Sequence, residues 1–307
     1  MKQKHSKIKH IAIILVIVSA FLNAAMGIWV RILGVHFANF QQIAARSITG
    51  GLLGLFVYTL TKKFNRRDFL QVTHKDTLFL IVRSLSLVVG IGLYTYAIKA
   101  GNYANVTMIY ALPTTAILGI LILKEKMTPT KFLAILIGFL GIVLISVKNF
   151  STFSLVGLGE IAALISTFFY SYNYITRKFI SKAVNNEEIA VIGAFILGFI
   201  ALIISLISGN NLGNFLTVDW TLLIVILAAG VTFILIGVLN NYGFQHLEAI
   251  TANNLFTLES LFGFLIGRYL YKEVPTTFGF IGGILVAVSA LLANYSEKHE
   301  VENEIDL

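Results

Sequence analysis

The chain has 307 residues, of which 57% are hydrophobic and only 12% charged, where a soluble chain of this length carries about 25% charge. So much apolar surface cannot all face inward in water, and lipid must be the solvent for much of it. The net charge of +8 sits at the ends of apolar runs and not on one soluble face, which argues against nucleic-acid binding, and the lack of cysteine excludes disulfides and thiolate metal sites.

A hydrocarbon core about 30 Å thick needs about 20 helical residues. Runs of that kind predict spans at 10–31, 39–61, 77–98, 102–123, 132–147, 155–176, 189–208, 221–243, 250–271 and 275–296. Membrane strands would alternate polar and apolar residues; IAIILVIVSAFL in the first span does not. That first run is too long for a signal-peptide core. It carries Ser19 and Asn23 on one side, continued by Met26. The second span holds Arg46 and the small residues Gly50, Gly51 and Gly54. The third holds Arg83, with Gly90 and Tyr94 sharing a side. Either arginine could meet an anionic group, or snorkel along its stem to the interface. In the fourth span Thr107, Tyr110 and Thr114 share a side, and Pro113 removes one backbone hydrogen bond. The fifth span is short, between Lys131 and Lys148, and has Gly138 and Gly141.

The sixth span opens near Glu160, then places Ser166, Tyr170, Asn173 and Arg177 at i, i+4, i+7 and i+11, one side of a helix. Such a polar stripe suits a cavity wall or hydrogen bonds between helices. In the ninth span Glu259 lies mid-membrane, with Asn253, Thr257 and Ser260 on a neighbouring stripe. A carboxyl at that depth is costly unless it faces a cavity or a partner; it suits proton exchange, binding of an amino group, or a structural hydrogen bond. Arg268 is near its span's outer end, where snorkelling accounts for it. The tenth span has Gly279, Gly282 and Gly283 at spacings that let backbones approach. The tail SEKHEVENEIDL is acidic and expected to be solvated.

Lysine and arginine resist translocation, so they mark the cytoplasmic side. With the N-terminus inside, sixteen basic residues lie on the cytoplasmic side and four outside, with Arg46, Arg83 and Arg268 within spans. Both termini are then cytoplasmic. Shifting the chain by 148 residues superimposes Tyr94 on Tyr242, Ala104 on Ala252, Asn105 on Asn253, Gly119 on Gly267, Lys124 on Lys272, Glu125 on Glu273, Thr128 on Thr276 and Phe132 on Phe280. Five spans separate the copies. Five is odd, so the second copy is inverted, an arrangement that lets one midplane site open to either side in turn. The expected fold is therefore an all-α integral membrane protein of ten transmembrane helices in two inverted five-helix repeats, 1–150 and 151–296, with an acidic cytoplasmic tail at 297–307.

Two stretches, YTYAIKAGNYANVTMIYALPTTAILGILILKEKMTPTKFLAILIGFLGIVLI (94–145) and NYGFQHLEAITANNLFTLESLFGFLIGRYLYKEVPTTFGFIGGILV (241–286), resemble the drug/metabolite transporter superfamily, EamA type. Glu125 and Glu273 match the glutamate that ends an apolar run in that family, and Arg46 matches an arginine common in its second helix. Glu259 matches the glutamate of a frequent Glu-Pro pair, although Ser260 stands at the proline position. Pro113 lies one residue nearer Glu125 than the family's usual spacing. The resemblance implies a central cavity between the repeats and transport of metabolites such as amino acids.

The expected activity is secondary transport of a small organic metabolite by alternating access, proton-coupled or by exchange. Its expected pathway residues are Asn23, Arg46, Arg83, Tyr94, Tyr110, Tyr170, Asn173, Tyr242, Asn253 and Glu259. Three intramembrane arginines against Glu160 and Glu259 favour substrates with a carboxylate, so amino acids lead. The alternative is a membrane sensor or enzyme without transport, but no Ser-His-Asp order, metal-ligand cluster or phosphate-binding glycine loop points to catalysis. No metal or other cofactor is expected. The expected partners are the small-molecule substrate and the lipid bilayer, not nucleic acid, and the protein is expected to act as a monomer or weak homodimer in the cytoplasmic membrane.

Overall fold

A computed structural model describes residues 2–61, 73–100, 109, 112–146, 157–181, 184–210, 212–215, 217–270, 272 and 277–306. Every regular element among these residues is helical. In lipid a backbone has no water to bond, so each spanning segment must satisfy its own N–H and C=O groups, as a helix does. The elements are α1 (Lys2–His36), α2 (Asn39–Thr61), α3 (His74–Ala100), α4 (Thr114–Leu123), α5 (Pro129–Ser146), α6 (Leu158–Ile175), α7 (Asn186–Ile207), α8 (Trp220–His246), α9 (Ala249–Phe256), α10 (Leu258–Leu270) and α11 (Thr277–Asp306). Short 3-10 turns at Thr176–Phe179 and Leu212–Phe215 join α6 to α7 and α7 to α8.

Seven stretches are long and apolar enough to cross a bilayer, one of them Ala249–Leu270, made of α9 and α10 together; Thr114–Leu123 and Pro129–Leu144 are shorter apolar helices. Most expected spans recur as helices with longer ends. The first half of the expected fourth span, Tyr110 included, lies outside the described residues. The expected ninth span is broken at Thr257. There the Thr257 and Ser260 amides bond back only three residues, to Asn254 O and Thr257 O, and Thr257 Oγ1 also donates to Asn254 O at 2.6 Å. Such i→i+3 bonds tighten a helix end.

Helix pairing follows the 148-residue offset. α5 packs along α11 and α2 along α7, each helix meeting its own counterpart. α1 packs along α8, and α3 along α6; the offset turns one of these pairs into the other. Small residues make the central contacts close. A Cβ on Gly50 would stand 2.7 Å from Gly230 O, and one on Gly141 would stand 2.8 Å from Gly282 O. Without a hydrophobic force between helices in lipid, such close backbone packing is a main source of cohesion.

The repeat also shows in backbone geometry. Among the described residues, the non-glycine residues with positive φ are Lys124 (57°) and Lys272 (54°), 148 positions apart. Lys124 ends α4 in the left-handed conformation, and the next amide, Glu125 N, bonds to Gly119 O. That conformation costs a side-chain-bearing residue about 1–2 kcal/mol, and it recurs at the same offset in both halves.

Candidate functional site

The helices surround a cavity of about 690 Å³, large enough for a small metabolite. Asn23 and Met26 reach it from α1, Gln42 and Arg46 from α2, Arg83 and Tyr94 from α3. Tyr170, Asn173 and Tyr174 reach it from α6, Asn240 and Asn241 from α8, and Glu259 from α10. Arg31, Asn39, Ser84 and Thr95 also line it, with apolar side chains such as Leu87, Ile91 and Phe233 between the polar groups.

The α1 side is built from its own polar stripe. Asn23 Nδ2 donates to the Ser19 carbonyl at 3.0 Å, and the buried Ser19 hydroxyl donates to Asn240 Oδ1. The α6 stripe divides. Tyr170 and Asn173 line the cavity, and Asn173 Nδ2 donates to the Arg83 carbonyl at 3.0 Å. Ser166 bonds within its own helix, to Ala163 O at 2.7 Å. Arg177 leaves α6 for the 3-10 turn and is 1% exposed. Its guanidinium donates to Asn186 Oδ1 at 2.7 Å, Ile180 O at 3.1 Å and Val184 O at 3.4 Å. Burial pulls Arg177 down to about 10, opposed by the attraction of Asp76.

Two cations in the wall are incompletely satisfied. Arg46 Nε and Nη1 and Arg83 Nη1 are buried without a hydrogen-bond partner, as is Gln42 Oε1, one helical turn before Arg46. Arg83 Nη2 donates to Asn241 Oδ1. Among the described residues no carboxylate pairs with either arginine, and Glu259 has no hydrogen-bond or ion-pair partner. The cavity thus presents unpaired groups of both signs, an arrangement that is costly in a low-dielectric interior unless a solute meets them.

Seven of the ten expected pathway residues line this cavity: Asn23, Arg46, Arg83, Tyr94, Tyr170, Asn173 and Glu259. Tyr110 lies outside the described residues. Tyr242 and Asn253 do not line it. Tyr242 packs on His246, with ring centroids 4.3 Å apart, and accepts the His246 ring through its carbonyl. Asn253 is half-buried on α9, whose inward side carries Ala252 and Leu255 in the apolar core. Glu160 caps α6, accepting from Gly157 N at 3.1 Å, and Arg268 is exposed. Thr114 bonds to Ser171 Oγ at 2.7 Å.

Gln42, Tyr174, Asn240 and Asn241 belong to the wall but were not singled out in the sequence. Adjacent amides at the end of the apolar run of α8 were the legible signal for the last two, since polar side chains within a span face a partner or a cavity.

Beside the wall residue Tyr174, a group of contacts ties several elements together at one end of the helices. Rings of Tyr174, Phe244 and Phe256 stack with centroids 5.1–5.7 Å apart. The Glu125 carboxylate caps α9, accepting from Ala249 N at 2.8 Å and Ile250 N at 3.1 Å, and takes Lys178 Nζ at 2.8 Å. Lys131, fully buried, pairs with Glu248 beside it.

The EamA-like transporter family matches the chain twice, at residues 10–147 and 157–295. An uncharacterized transporter of Methanothermobacter thermautotrophicus is 27% identical over 77% of this chain and 67% of its own length. One from Helicobacter pylori strain J99 is 25% identical over 87% of this chain and 91% of its own. A protein of Rickettsia bellii named S-adenosylmethionine uptake transporter is 23% identical over 73% of this chain and 75% of its own. A protein crystal structure superposes with a TM-score of 0.79 at 13% identity, covering 94% of this chain and 97% of that one, a likeness of fold.

Proposed function

We propose that this chain, which belongs to the EamA-like transporter family, moves amino acids or close zwitterionic relatives across the cytoplasmic membrane by alternating access. The observation that carries the reading is the cavity wall, where Arg46 and Arg83 lack carboxylate partners and Glu259 lacks a cation among the described residues. An α-amino acid offers a carboxylate to the arginines and an ammonium group to Glu259. Guanidinium is the better partner for a carboxylate, since it donates two parallel hydrogen bonds. The relative named for S-adenosylmethionine uptake has a cargo that also carries an α-amino-acid group, in keeping with this class. Glu259 binds that amino group or exchanges a proton during the cycle.

In this reading ten helices form two inverted repeats, 1–150 and 151–296, with both termini and the 297–307 tail in the cytoplasm. Lys124, Lys131, Arg177 and Lys178 then mark the cytoplasmic end. In this reading Glu125 and the aromatic stack seal that end, whereas Arg31 and Asn39 extend the cavity wall toward the opposite end. The arrangement corresponds to an outward-open state, and transport requires the cytoplasmic seal to release.

Purified protein in liposomes, loaded with a panel of L-amino acids and S-adenosylmethionine, tests the proposal. Saturable, counterflow-stimulated uptake of at least one panel member is expected, and Glu259→Gln should abolish its pH dependence or its preference for a free amino group. No saturable flux for any member sinks the substrate reading. Wild-type rate and pH dependence in Glu259→Gln removes the role given to Glu259.

A further inference from the structure

Arg83 is held in the cavity wall by a chain of neutral amides. Asn241 is 1% exposed. Its Oδ1 accepts Arg83 Nη2, and its Nδ2 donates to the Asn186 carbonyl at 3.1 Å. Those two partners leave only one orientation for the amide, because a carbonyl oxygen needs a donor and a guanidinium needs an acceptor. Asn186 in turn donates to Gln245 Oε1 at 2.7 Å and accepts Arg177 Nε. The nearest carboxylate along this chain is Asp76, which attracts Arg177 and accepts Ser181 N at 2.7 Å. Arg177 also lies close enough to Arg83 to repel its charge.

Asp76 thus answers Arg177, and Arg83 has no carboxylate partner among the described residues. Buried arginines are commonly neutralised by a directly bound carboxylate. Here the groups touching the Arg83 side chain and backbone are amides, from Asn241 and Asn173. We infer that Asn241 is a positioning residue for anion recognition: it fixes the Arg83 guanidinium in the cavity wall while leaving its positive charge uncancelled and available to a carboxylate of the solute. An aspartate of the same shape could hold Arg83 as well, but would occupy the charge that the solute needs.

The inference rests on the reading of the cavity as a carboxylate-binding site, and the test separates it from the amino-acid proposal. Purified wild type, Asn241→Asp, Asn241→Ala and Arg83→Gln are titrated with acetate and its isosteric amide, acetamide, at matched ionic strength, and apparent affinities are read from thermal shifts. Glycine and glycinamide form a second pair. Wild type should prefer acetate over acetamide about tenfold, the value of one charge-assisted pair. Asn241→Asp and Arg83→Gln should bring that ratio close to one, and the double variant should fall no further. Asn241→Ala, which removes the anchor without adding a charge, should lower the ratio about fivefold. A role in packing alone would weaken both probes equally and leave the ratio unmoved. The inference is overturned if wild type does not distinguish acetate from acetamide. It is also overturned if folded Asn241→Asp keeps the wild-type ratio or, should Asn241→Asp not fold, if Asn241→Ala keeps it. If acetate is distinguished and glycine does not bind, Asn241 retains its role and the amino-acid proposal fails.

Discussion

Glu125→Ala should shift the protein toward the state open to the cytoplasm. The Glu125 side chain is 7% exposed and accepts two backbone N–H groups of α9, on Ala249 and Ile250, both residues fully buried. Truncation leaves those donors without an acceptor in a place that water does not reach. Each orphaned donor costs about 1–3 kcal/mol. Lys178 is 23% exposed and can rehydrate, so its ion pair adds little. The closed end therefore loses about 2–6 kcal/mol, and a cap made only in that state moves the equilibrium by about 30- to 25,000-fold. Glu125→Gln keeps one acceptor oxygen and should give roughly half of the free-energy change. The chain has no cysteine, so Ser84→Cys, in the cavity wall, provides a single reporter. Its labelling rate by a membrane-impermeant maleimide is measured with reagent on either face of oriented membranes. Glu125→Ala should raise labelling from the cytoplasmic face and lower it from the outside. Lowered thermal stability with an unchanged ratio of the two rates would refute a gating role and leave Glu125 as an ordinary helix cap.

Other perturbations test the packing directly. Gly50→Ala places a methyl 2.7 Å from Gly230 O, and the separation this forces on α2 and α8 should cost about 1–3 kcal/mol in thermal unfolding of the purified protein. Gly27→Ala, whose Cβ meets nothing within 4 Å, is the control and should be near neutral. Ser19→Ala removes the donor to the buried Asn240 Oδ1 and should cost about 1–2 kcal/mol, read in the same assay.

Much of the helical layout was legible in the residues. Apolar runs near the length of a bilayer read as helices in lipid, because no other open segment satisfies its backbone there, and seven such stretches are found among the described residues. The offset of 148 was visible in Lys124, Glu125 and their counterparts, and a left-handed φ recurs at both lysines. Seven wall residues were legible for a related reason: a polar side chain is conspicuous where each one is costly.

Tertiary structure decided what each polar side chain faces. Arg83 and Arg177 look alike in sequence, as polar insertions at helical spacing, yet Arg83 stands in the cavity wall while Arg177 is tied to Asn186, Ile180 and Val184. Glu125 reads as the end of an apolar run, and its work as the cap of α9 depends on a helix more than a hundred residues away. The break at Thr257, which separates Asn253 from Glu259, follows no glycine or proline. Sequence spacing determines which residues share a face of one helix; only the packing of several helices determines whether that face meets lipid, another helix or the cavity.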